Sequence, residues 1–388
     1  HHGVMAQFLW FDRGPDQQGR LLLIVHHLVM DAVSWRFLVP DLAEAYTTLA
    51  AGREVALQPV PTSFRHWSRA LTAQAASPGR VAELPHWVQT LSAPDPAITV
   101  RPVDPLRDTG ATMRQMSLRL STDVTTPLLT TVPTAFHAGV EDILLTGFAA
   151  AIGEWRRAQG KRSQGVLVDL EGHGRVPLGE GVELSRTAGW FTNSYPVRLD
   201  PGAVDFAGLR AGRSAAGQAV KRVKEQLRAT PGDGLGYGMV RHLNPETAGE
   251  LSGLPGAQIG FNYLGRFGEG AEGPDGRQRD WQPTAGGRGG GGTGDDIPVM
   301  HPLEVMGVVR DLPEGPQLSL VLSWAAELIE EQTIRELLDL WASALTGLTL
   351  HTAGTGGGYT PSDFPLVDMS QDELDEFEAS AKQIEEGA

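Results

Sequence analysis

The chain has 388 residues, of which 41% are hydrophobic and none is cysteine, and its formal net charge is -15 at pH 7. This length exceeds one ordinary core and predicts two lobes, while the lack of cysteine excludes disulfides and cysteine-based metal sites. The negative charge argues against a nucleic-acid partner, and no apolar run reaches the roughly 18 residues of a membrane span. The first residues also lack the pattern of a signal peptide. We therefore expect a cytoplasmic protein with no metal, nucleic-acid or membrane partner.

The apolar run at residues 21–25 is typical of a buried strand, and polar side chains follow it directly. It leads directly into His26 and His27, at the strand end where open α/β sheets usually bind ligands. A lone histidine in this place is more often structural than catalytic, so the pair alone does not define a site. Residues 34–51 have helical composition, and Pro40 predicts two helical pieces rather than one.

Two further helices, around Phe64–Leu71 and Trp87–Leu91, precede a proline-rich stretch at residues 94–105. We place the boundary between the lobes near this stretch. The predicted organisation is an N-terminal lobe at 1–109, a C-terminal lobe at 110–358, and a linker with an acidic tail at 359–388. The tail holds seven acidic residues against one lysine over residues 372–386, which indicates a solvated helix or linker.

The second lobe alternates strand and helix patterns, which predicts an α/β fold. Ser121 is the expected N-cap of the helix that follows the first of these strands. The predicted strands lie at 116–120, 166–171, 257–264, 303–310 and 318–324, and the predicted helices at 143–155, 205–228 and 332–350.

Two glycine-rich segments resemble nucleotide-binding loops only superficially. The run at residues 286–292 lacks the Lys-Ser/Thr ending of a phosphate loop, so we expect a flexible surface loop. Residues 234–238 follow no strand and lack the dinucleotide-binding spacing, so we expect a tight loop with an exposed backbone.

Chemically active side chains recur at predicted strand ends. The histidine pair follows residues 21–25, Glu171 ends the strand that begins at residue 166, and Tyr263 lies near the end of the strand at 257–264. Taken alone, Glu171 would be interpreted as a carboxylate that caps a loop. Together the three places indicate an acid/base site.

The chain resembles the epimerization domains of non-ribosomal peptide synthetases, which belong to the condensation-domain superfamily. The resemblance rests on five motifs in the family's order, at residues 26–35, 171–175, 189–196, 234–238 and 261–266. The Glu-Gly-His-Gly-Arg motif and the Gly-Trp-Phe-Thr motif are the ones that separate epimerization domains from ordinary condensation domains. The segment at 360–367 is also similar to the linker that follows such domains.

This resemblance implies a fold of two chloramphenicol-acetyltransferase-like α/β lobes in a V shape with a central tunnel. The implied reaction inverts the Cα of an aminoacyl or peptidyl group, from L to D. The group is held as a thioester on the phosphopantetheine arm of a peptidyl carrier protein, beside neighbouring synthetase modules. The thioester acidifies the Cα hydrogen, so no intrinsic cofactor is expected.

The resemblance also implies roles for individual residues. His27 and Glu171 match the acid/base pair, with Glu171 favoured as the base, although the sequence leaves open which one removes the proton. Asn262 and Tyr263 match a functional pair that would stabilise the thioester oxygen or hold the arm. Supporting roles fall to Asp31, which we expect to pair with an arginine, to Trp190 and Phe191, which would line or support the tunnel floor, to Tyr237 near its mouth, and to His26, Ser34, Trp35, His173 and Arg175.

The chain departs from the family pattern in three respects. Ala32 stands where the family usually has glycine, Val176 stands where it commonly has glutamate, and the family's N-terminal stretch does not precede residue 1, so we expect an N-terminal lobe that is incomplete at its start. Two other functions stay open. The chain could be a condensation domain, in which His27 assists an incoming amine, or a catalytically silent domain that recruits carrier or partner proteins.

Overall fold

The structure is a computed structural model that describes residues 3–161, 165–232, 234–268, 280–281, 294–354 and 356–386, with the backbone alone for residue 379 and residues 381–386. Its strands are β1 (Ala6–Phe11), β2 (Arg20–Val25), β3 (Met113–Arg119), β4 (Val166–Gly172), β5 (Asn193–Leu199), β6 (Ile259–Gly268), β7 (Leu303–Leu312) and β8 (Gly315–Ala325). The α-helices are α1 (Trp35–Ala50), α2 (Phe64–Gln74), α3 (Pro78–Val81), α4 (Leu84–Ser92), α5 (Thr122–Leu129), α6 (Thr131–Ala135), α7 (Val140–Ala158), α8 (Phe206–Arg210), α9 (Ser214–Arg228), α10 (Leu235–Gly238), α11 (Pro245–Ser252), α12 (Glu331–Ala353) and α13 (Gln371–Glu386).

Six strands form one mixed sheet in the order β3-β8-β7-β6-β4-β5, and β1 pairs with β2 in a separate antiparallel hairpin. Strand β6 lies parallel to both β4 and β7, whereas the other neighbours in the sheet are antiparallel. The predicted α/β class is therefore confirmed, and the strands predicted at 303–310 and 318–324 form the antiparallel pair β7–β8. The division of the chain at residues 109 and 358 stays a prediction.

The main core lies between one face of the six-stranded sheet and helices α7, α9 and α12. Side chains alternate across a strand, so every second residue of β4, β6 and β7 enters this core while the residues between them face the other way. Trp341 of α12 is completely buried there, and its Nε1 donates a hydrogen bond to the carbonyl oxygen of Leu144 at 3.0 Å. This packing fixes which face of the sheet remains available for chemistry.

Two helix predictions are wrong in their boundaries. Residues 34–51 form one helix and not two, because Pro40, which lies inside the helix, removes only one backbone donor and the later turns keep theirs. Residues 205–228 form two helices and not one. Gly212, at φ +70°, turns the chain between α8 and α9, and a Cβ there would lie 2.7 Å from Cβ of Leu350.

Two further expectations differ from the structure. Strand β2 forms where predicted but is mostly exposed, as is β1, because a two-stranded hairpin buries side chains only where another layer covers it. Residues 234–238 are not an exposed loop. They form the buried turn α10, which continues into a π-helix at Met239–Leu243. Gly234 at φ +76° starts this turn beside the ring of Tyr195. The expected glycine loop at residues 286–292 lies outside the described residues.

Candidate active site

Strand β4 places Glu171 on the face of the sheet opposite the main core. Val168 and Leu170 are buried in that core, so Asp169 and Glu171 point to the other side. Asn262 has the same orientation on the neighbouring strand β6, and its amide Nδ2 donates a hydrogen bond to the Glu171 carboxylate. The structure therefore brings together two of the four residues predicted to be catalytic.

The surroundings of Glu171 raise the pKa of its carboxyl above the ordinary value of 4.5. The largest cause is partial loss of hydration, because protein lies around the carboxyl, although the residue as a whole is exposed. The charge of Glu304 raises the pKa further, while the charges of His301 and His27 lower it. A carboxylate whose pKa is raised binds a proton more readily than an ordinary glutamate does, which favours its use as a base.

His27 begins a short 3-10 helix, His27–Val29, immediately after β2. Its ring lies 4.7 Å, centroid to centroid, from the ring of Trp190, which itself is partly exposed. The preceding His26 has a structural role, because its Nδ1 accepts a hydrogen bond from the backbone nitrogen of Leu28 at 3.1 Å. The exposed imidazole of His27 therefore remains available, with Trp190 against one side.

Arg175 joins residues 26–34, which we call the histidine loop, to the segment that follows β4. Its Nη2 donates to Asp31 Oδ1 at 2.8 Å and to Ser34 Oγ at 3.0 Å. Its Nη1 donates to the carbonyl oxygens of Leu184 and Thr187 at 2.9 and 2.8 Å. The expected pairing of Asp31 with an arginine is thus present, and it crosses from one motif to another. Both side chains of the ion pair are nearly buried.

Asp31 also organises its own loop. Its Oδ1 accepts from both the backbone nitrogen and the hydroxyl of Ser34, at 2.8 and 2.7 Å, and its backbone nitrogen donates to the carbonyl of Gly189 at 3.0 Å. Burial pushes the pKa of Asp31 upward, but the hydrogen bonds from Arg175 and Ser34 outweigh burial and hold the pKa below its ordinary 3.8. Asp31 is therefore a buried anion that orients the loop of His27.

The motif at residues 171–175 needs glycine because two segments approach each other closely. Gly174 has φ +62°, and a Cβ there would lie 1.6 Å from the carbonyl oxygen of Phe191. The guanidinium of Arg175 then lies 4.3 Å from the centre of the buried Phe191 ring. Phe191 packs in turn on Phe64 and Trp67 of α2. This aromatic group supports the loop that carries Trp190.

Three other predicted residues have contacts of their own elsewhere. The ring of Tyr263 packs against the main core on the opposite face of β6, and burial raises the pKa of its phenol. Tyr237 is buried against Trp87, and its hydroxyl accepts a hydrogen bond from Arg241 at 2.9 Å. His173 is exposed, and its Nδ1 accepts from the backbone nitrogen of Arg175 at 3.1 Å.

Trp35, the remaining supporting residue, is the first residue of α1 and is partly buried. The catalytic role predicted for Tyr263 and the supporting roles predicted for Tyr237 and Trp35 stay predictions.

Sequence analysis did not identify His301 and Glu304, whose charges act on Glu171. His301 is buried just before β7, and its two ring nitrogens lie 2.9 Å from carboxylate oxygens of Asp169 and Glu304. Its partner Asp169 could have been recognised from the sequence, because it precedes Glu171 by two residues and therefore shares its face of the sheet. The position of His301 could not be recognised in this way, since it depends on the pairing of β6 with β7.

Several features lie apart from this site. A cavity of about 220 Å³ at the start of α7 is lined by residues that include Glu141, Asp142, Tyr195 and Arg228, and burial raises the pKa of Glu141 to about 7. In the described part of the chain no group of three or more His, Asp or Glu side chains could hold a metal ion. Across those same residues no single helix could span a membrane, although Thr122–Ala135 and Val140–Ala158, bent by 103°, pass by length and composition as a pair.

Comparison with known proteins identifies the family. A family model described as "Condensation domain" matches residues 10–357. A linear gramicidin synthase protein from Brevibacillus parabrevis is 36% identical over 386 residues, which is 99% of this chain and 5% of that protein. Chondramide synthase cmdD from Chondromyces crocatus is 36% identical over 387 residues, which is 96% of this chain and 9% of that protein. The chain thus spans less than a tenth of the length of either relative.

Solved structures agree with this result. The epimerization domain from the third module of tyrocidine synthetase B is 28% identical, with a TM-score of 0.73, and the match covers 91% of this chain and 73% of that one. The X-domain from teicoplanin biosynthesis shares the fold at 19% identity, with a TM-score of 0.58 and coverage of 92% and 74%. The resemblance and the fold predicted from the sequence motifs are confirmed, and the chain belongs to the condensation-domain family of non-ribosomal peptide synthetases.

Proposed function

We propose that this domain epimerizes the Cα of an aminoacyl or peptidyl thioester. The observation that carries the proposal is Glu171, a carboxyl of raised pKa that accepts a hydrogen bond from Asn262 and feels the charge of His27. The motif that contains Glu171 is one of the two by which the family resemblance distinguishes epimerization domains from condensation domains. The similarity to a solved epimerization domain supports the same function.

Inversion requires two groups on opposite sides of the carbon. In the L to D direction, the Glu171 carboxylate removes the Cα proton and the electron pair moves onto the thioester carbonyl. The imidazolium of His27 then returns a proton to the other face, which leaves Glu171 protonated and His27 neutral. Both side chains are open to solvent and recover their starting states by proton exchange with water. Each positioned acid or base contributes about 10²–10⁴-fold in rate.

Charge that develops on the thioester oxygen needs a hydrogen-bond donor. Asn262 lies on the reactive face but already donates to Glu171, so we assign it first to the orientation of that carboxylate. Stabilisation of the oxygen by Asn262 or Tyr263, as the family resemblance implies, stays a prediction. The ring of Trp190 beside His27 gives that side of the site an apolar wall against which the substrate can pack.

The substrate and partners follow from the same proposal. The relatives are large synthases of which this chain matches a small part, so we propose that it acts beside neighbouring modules of such a protein. Its substrate would be presented by a peptidyl carrier protein on a phosphopantetheine arm, which is part of the substrate and not a cofactor of this chain. The cytoplasmic location expected from the sequence stays a prediction.

The experiment that tests this function follows the products of a carrier protein loaded with an L-aminoacyl group. The domain is incubated with the loaded carrier, in the presence and absence of a second carrier that offers an acceptor amine. The thioester is then hydrolysed, and both the chirality of the released amino acid and the formation of an amide are measured.

We expect a mixture of D and L amino acid without amide. An amide product with the L configuration retained would instead identify a condensation domain. Unchanged substrate under both conditions, with binding of the carrier, would identify a recruiting domain, and either result would overturn the proposal.

A further inference from the structure

Behind Glu171 lies a group of charged side chains that the proposed reaction does not use. His301 is only 6% exposed, its Nε2 lies 2.9 Å from Asp169 Oδ2, and its Nδ1 lies 2.9 Å from Glu304 Oε1. These three residues come from β4, from the residue pair that precedes β7, and from β7 itself. We call them the Asp169–His301–Glu304 cluster.

The sheet register places the cluster one row behind Glu171. Asp169 pairs with Gly260, and Gly260 pairs with Glu304, so the three positions form a row across β4, β6 and β7. Glu171 follows Asp169 by two residues and therefore faces the same side. Asn262 follows Gly260 by the same interval, which explains why it reaches Glu171.

Gly260 is the position that makes room for the cluster. A Cβ at residue 260 would lie 2.3 Å from Oε2 of Glu304 and 2.6 Å from Nδ1 of His301. Any other residue would therefore displace the ring or the carboxylate. The polar groups occupy the volume in which the side chain of the central strand would otherwise lie.

The geometry also determines the charge of His301. An ionised carboxylate only accepts hydrogen bonds, and each ring nitrogen faces one carboxylate oxygen. Both nitrogens must carry hydrogen to satisfy both contacts, so the ring is an imidazolium. The hydrogen bonds and charges of Asp169 and Glu304 outweigh the burial of the ring and raise its pKa to about 9.

We propose that His301 is the positioning residue that keeps Glu171 ionised and able to accept a proton, by holding a fixed positive charge one row behind it. This role rests on the proposed epimerization, in which Glu171 acts as a base. Glu304 has two effects. It holds the imidazolium of His301 by a hydrogen bond, and its charge repels negative charge on Glu171. The two residues therefore act on Glu171 in opposite directions.

The charged groups around the site determine in which direction the pKa of Glu171 should change in each variant. Glu171 is influenced by Glu304 and His301 from the side of β7 and by His27 from the histidine loop. His301 itself faces Asp169 and Glu304. The charge of Asp169 also acts on Tyr237, where burial raises the pKa of the phenol and this charge adds to the effect. Loss of the imidazolium should raise the pKa of Glu171, whereas loss of the Glu304 charge should lower it.

The test compares the His301→Gln and Glu304→Gln variants by the pH dependence of Cα deuterium wash-out. We expect the acidic limb of the pH–rate profile to move to higher pH, by about one unit or more, in His301→Gln. In Glu304→Gln the same limb should move to lower pH. In the second variant the amide oxygen can still accept the hydrogen bond of the ring, so its geometry is a matched control. The His301→Lys variant, which restores a cation, should return the limb toward that of the wild type.

A merely structural histidine would lower stability without opposite movements of the limb. The inference would be overturned if the acidic limb of the pH–rate profile stayed in place, or if it moved in the same direction in both glutamine variants.

A second measurement separates this inference from the proposed function. The carboxyl of Glu171 is titrated by ¹³C NMR without substrate, with its signal assigned by comparison with Glu171→Gln. A shifted midpoint in His301→Gln supports the inference even if the domain does not epimerize. An unshifted midpoint in an active enzyme overturns the inference alone.

If His301→Gln does not fold, the ring of His301 is titrated in the wild type. We expect an imidazolium that persists to about pH 9, and a neutral ring at pH 7 would contradict the role.

Discussion

At the scale of single residues, Glu171 is governed by groups that oppose each other. Loss of hydration and the charge of Glu304 favour its protonated form, while His301 and His27 favour the carboxylate. The hydrogen bond from Asn262 is a further influence in favour of the charged form. The reactivity of one side chain thus depends on residues from β6, β7 and the histidine loop.

Replacement of Asn262 should make this dependence measurable. In Asn262→Ala the carboxylate loses a donor that orients it and stabilises its charge, so its pKa rises and its position toward the substrate is less fixed. A hydrogen bond to a charged group contributes about 1.5–3 kcal/mol, so we expect wash-out to slow by about tenfold or more. The matched control is Gln115→Ala, an exposed amide on strand β3 of the same sheet. Equal rates for Asn262→Ala and the control would contradict this account of Asn262.

The residue predictions from sequence depended on motif and on strand parity. His27 and Glu171 could be selected because their motifs are specific, and the pairing of Asp31 with an arginine was expected. The orientation of Tyr263 could have been inferred, because it shares its parity on β6 with the buried Phe261. His301 could not be found, because its contacts reach across β6 to Asp169 and depend on the absence of a side chain at Gly260.

At the scale of elements, Arg175 connects two segments that are far apart in sequence. Its buried ion pair with Asp31 joins the histidine loop to the stretch between β4 and β5, and its other hydrogen bonds satisfy two carbonyl groups there. Removal of one partner from such a pair leaves an uncompensated buried charge. The relative position of His27 and Trp190 depends on this connection.

The Arg175→Met variant should therefore lose about 3–5 kcal/mol of unfolding free energy at pH 7. The exposed pair of Arg335 and Glu331 gives the matched control, because Arg335→Met should cost no more than about 1 kcal/mol. Urea unfolding of the two variants beside the wild type measures the difference. Similar losses in both would contradict the structural role of Arg175.

The same ion pair predicts a pH dependence. Because the folded pKa of Asp31 lies below its ordinary 3.8, its contribution to stability is complete above that value. The contribution is lost as the pH falls through the lower folded pKa. The stability difference between the wild type and Arg175→Met should therefore shrink in strongly acidic solution, and a difference that grows there would contradict the assignment.

Element boundaries were predicted well where periodicity was continuous. The helices α7 and α12 and the pair β7–β8 follow from their apolar patterns, since the core lies on one side of each. The predicted helix boundaries were wrong where a single proline or glycine is compatible both with a continuous helix and with a break. Pro40 lies inside a helix without ending it, whereas Gly212 divides a pattern whose periodicity continues across it.

At the scale of the whole molecule, the site is assembled from parts of the chain that are far apart in sequence. His27 follows the hairpin β1–β2, Glu171 and Asn262 lie on the large sheet, and Arg175 links the two parts. The fold and family could be predicted from ordered motifs, because the order itself is specific. The arrangement of charge behind Glu171 could not, because it arises only when three strands are placed side by side.

The most direct test of the central claim uses a carrier protein loaded with an L-aminoacyl group deuterated at Cα. The wild type, Glu171→Gln and Glu180→Gln are compared, the last being the same substitution at an exposed position nearby. If Glu171 transfers the proton, the wild type and Glu180→Gln lose the label, and Glu171→Gln loses it about 10²–10⁴-fold more slowly. Wash-out by Glu171→Gln at the wild-type rate would contradict the account.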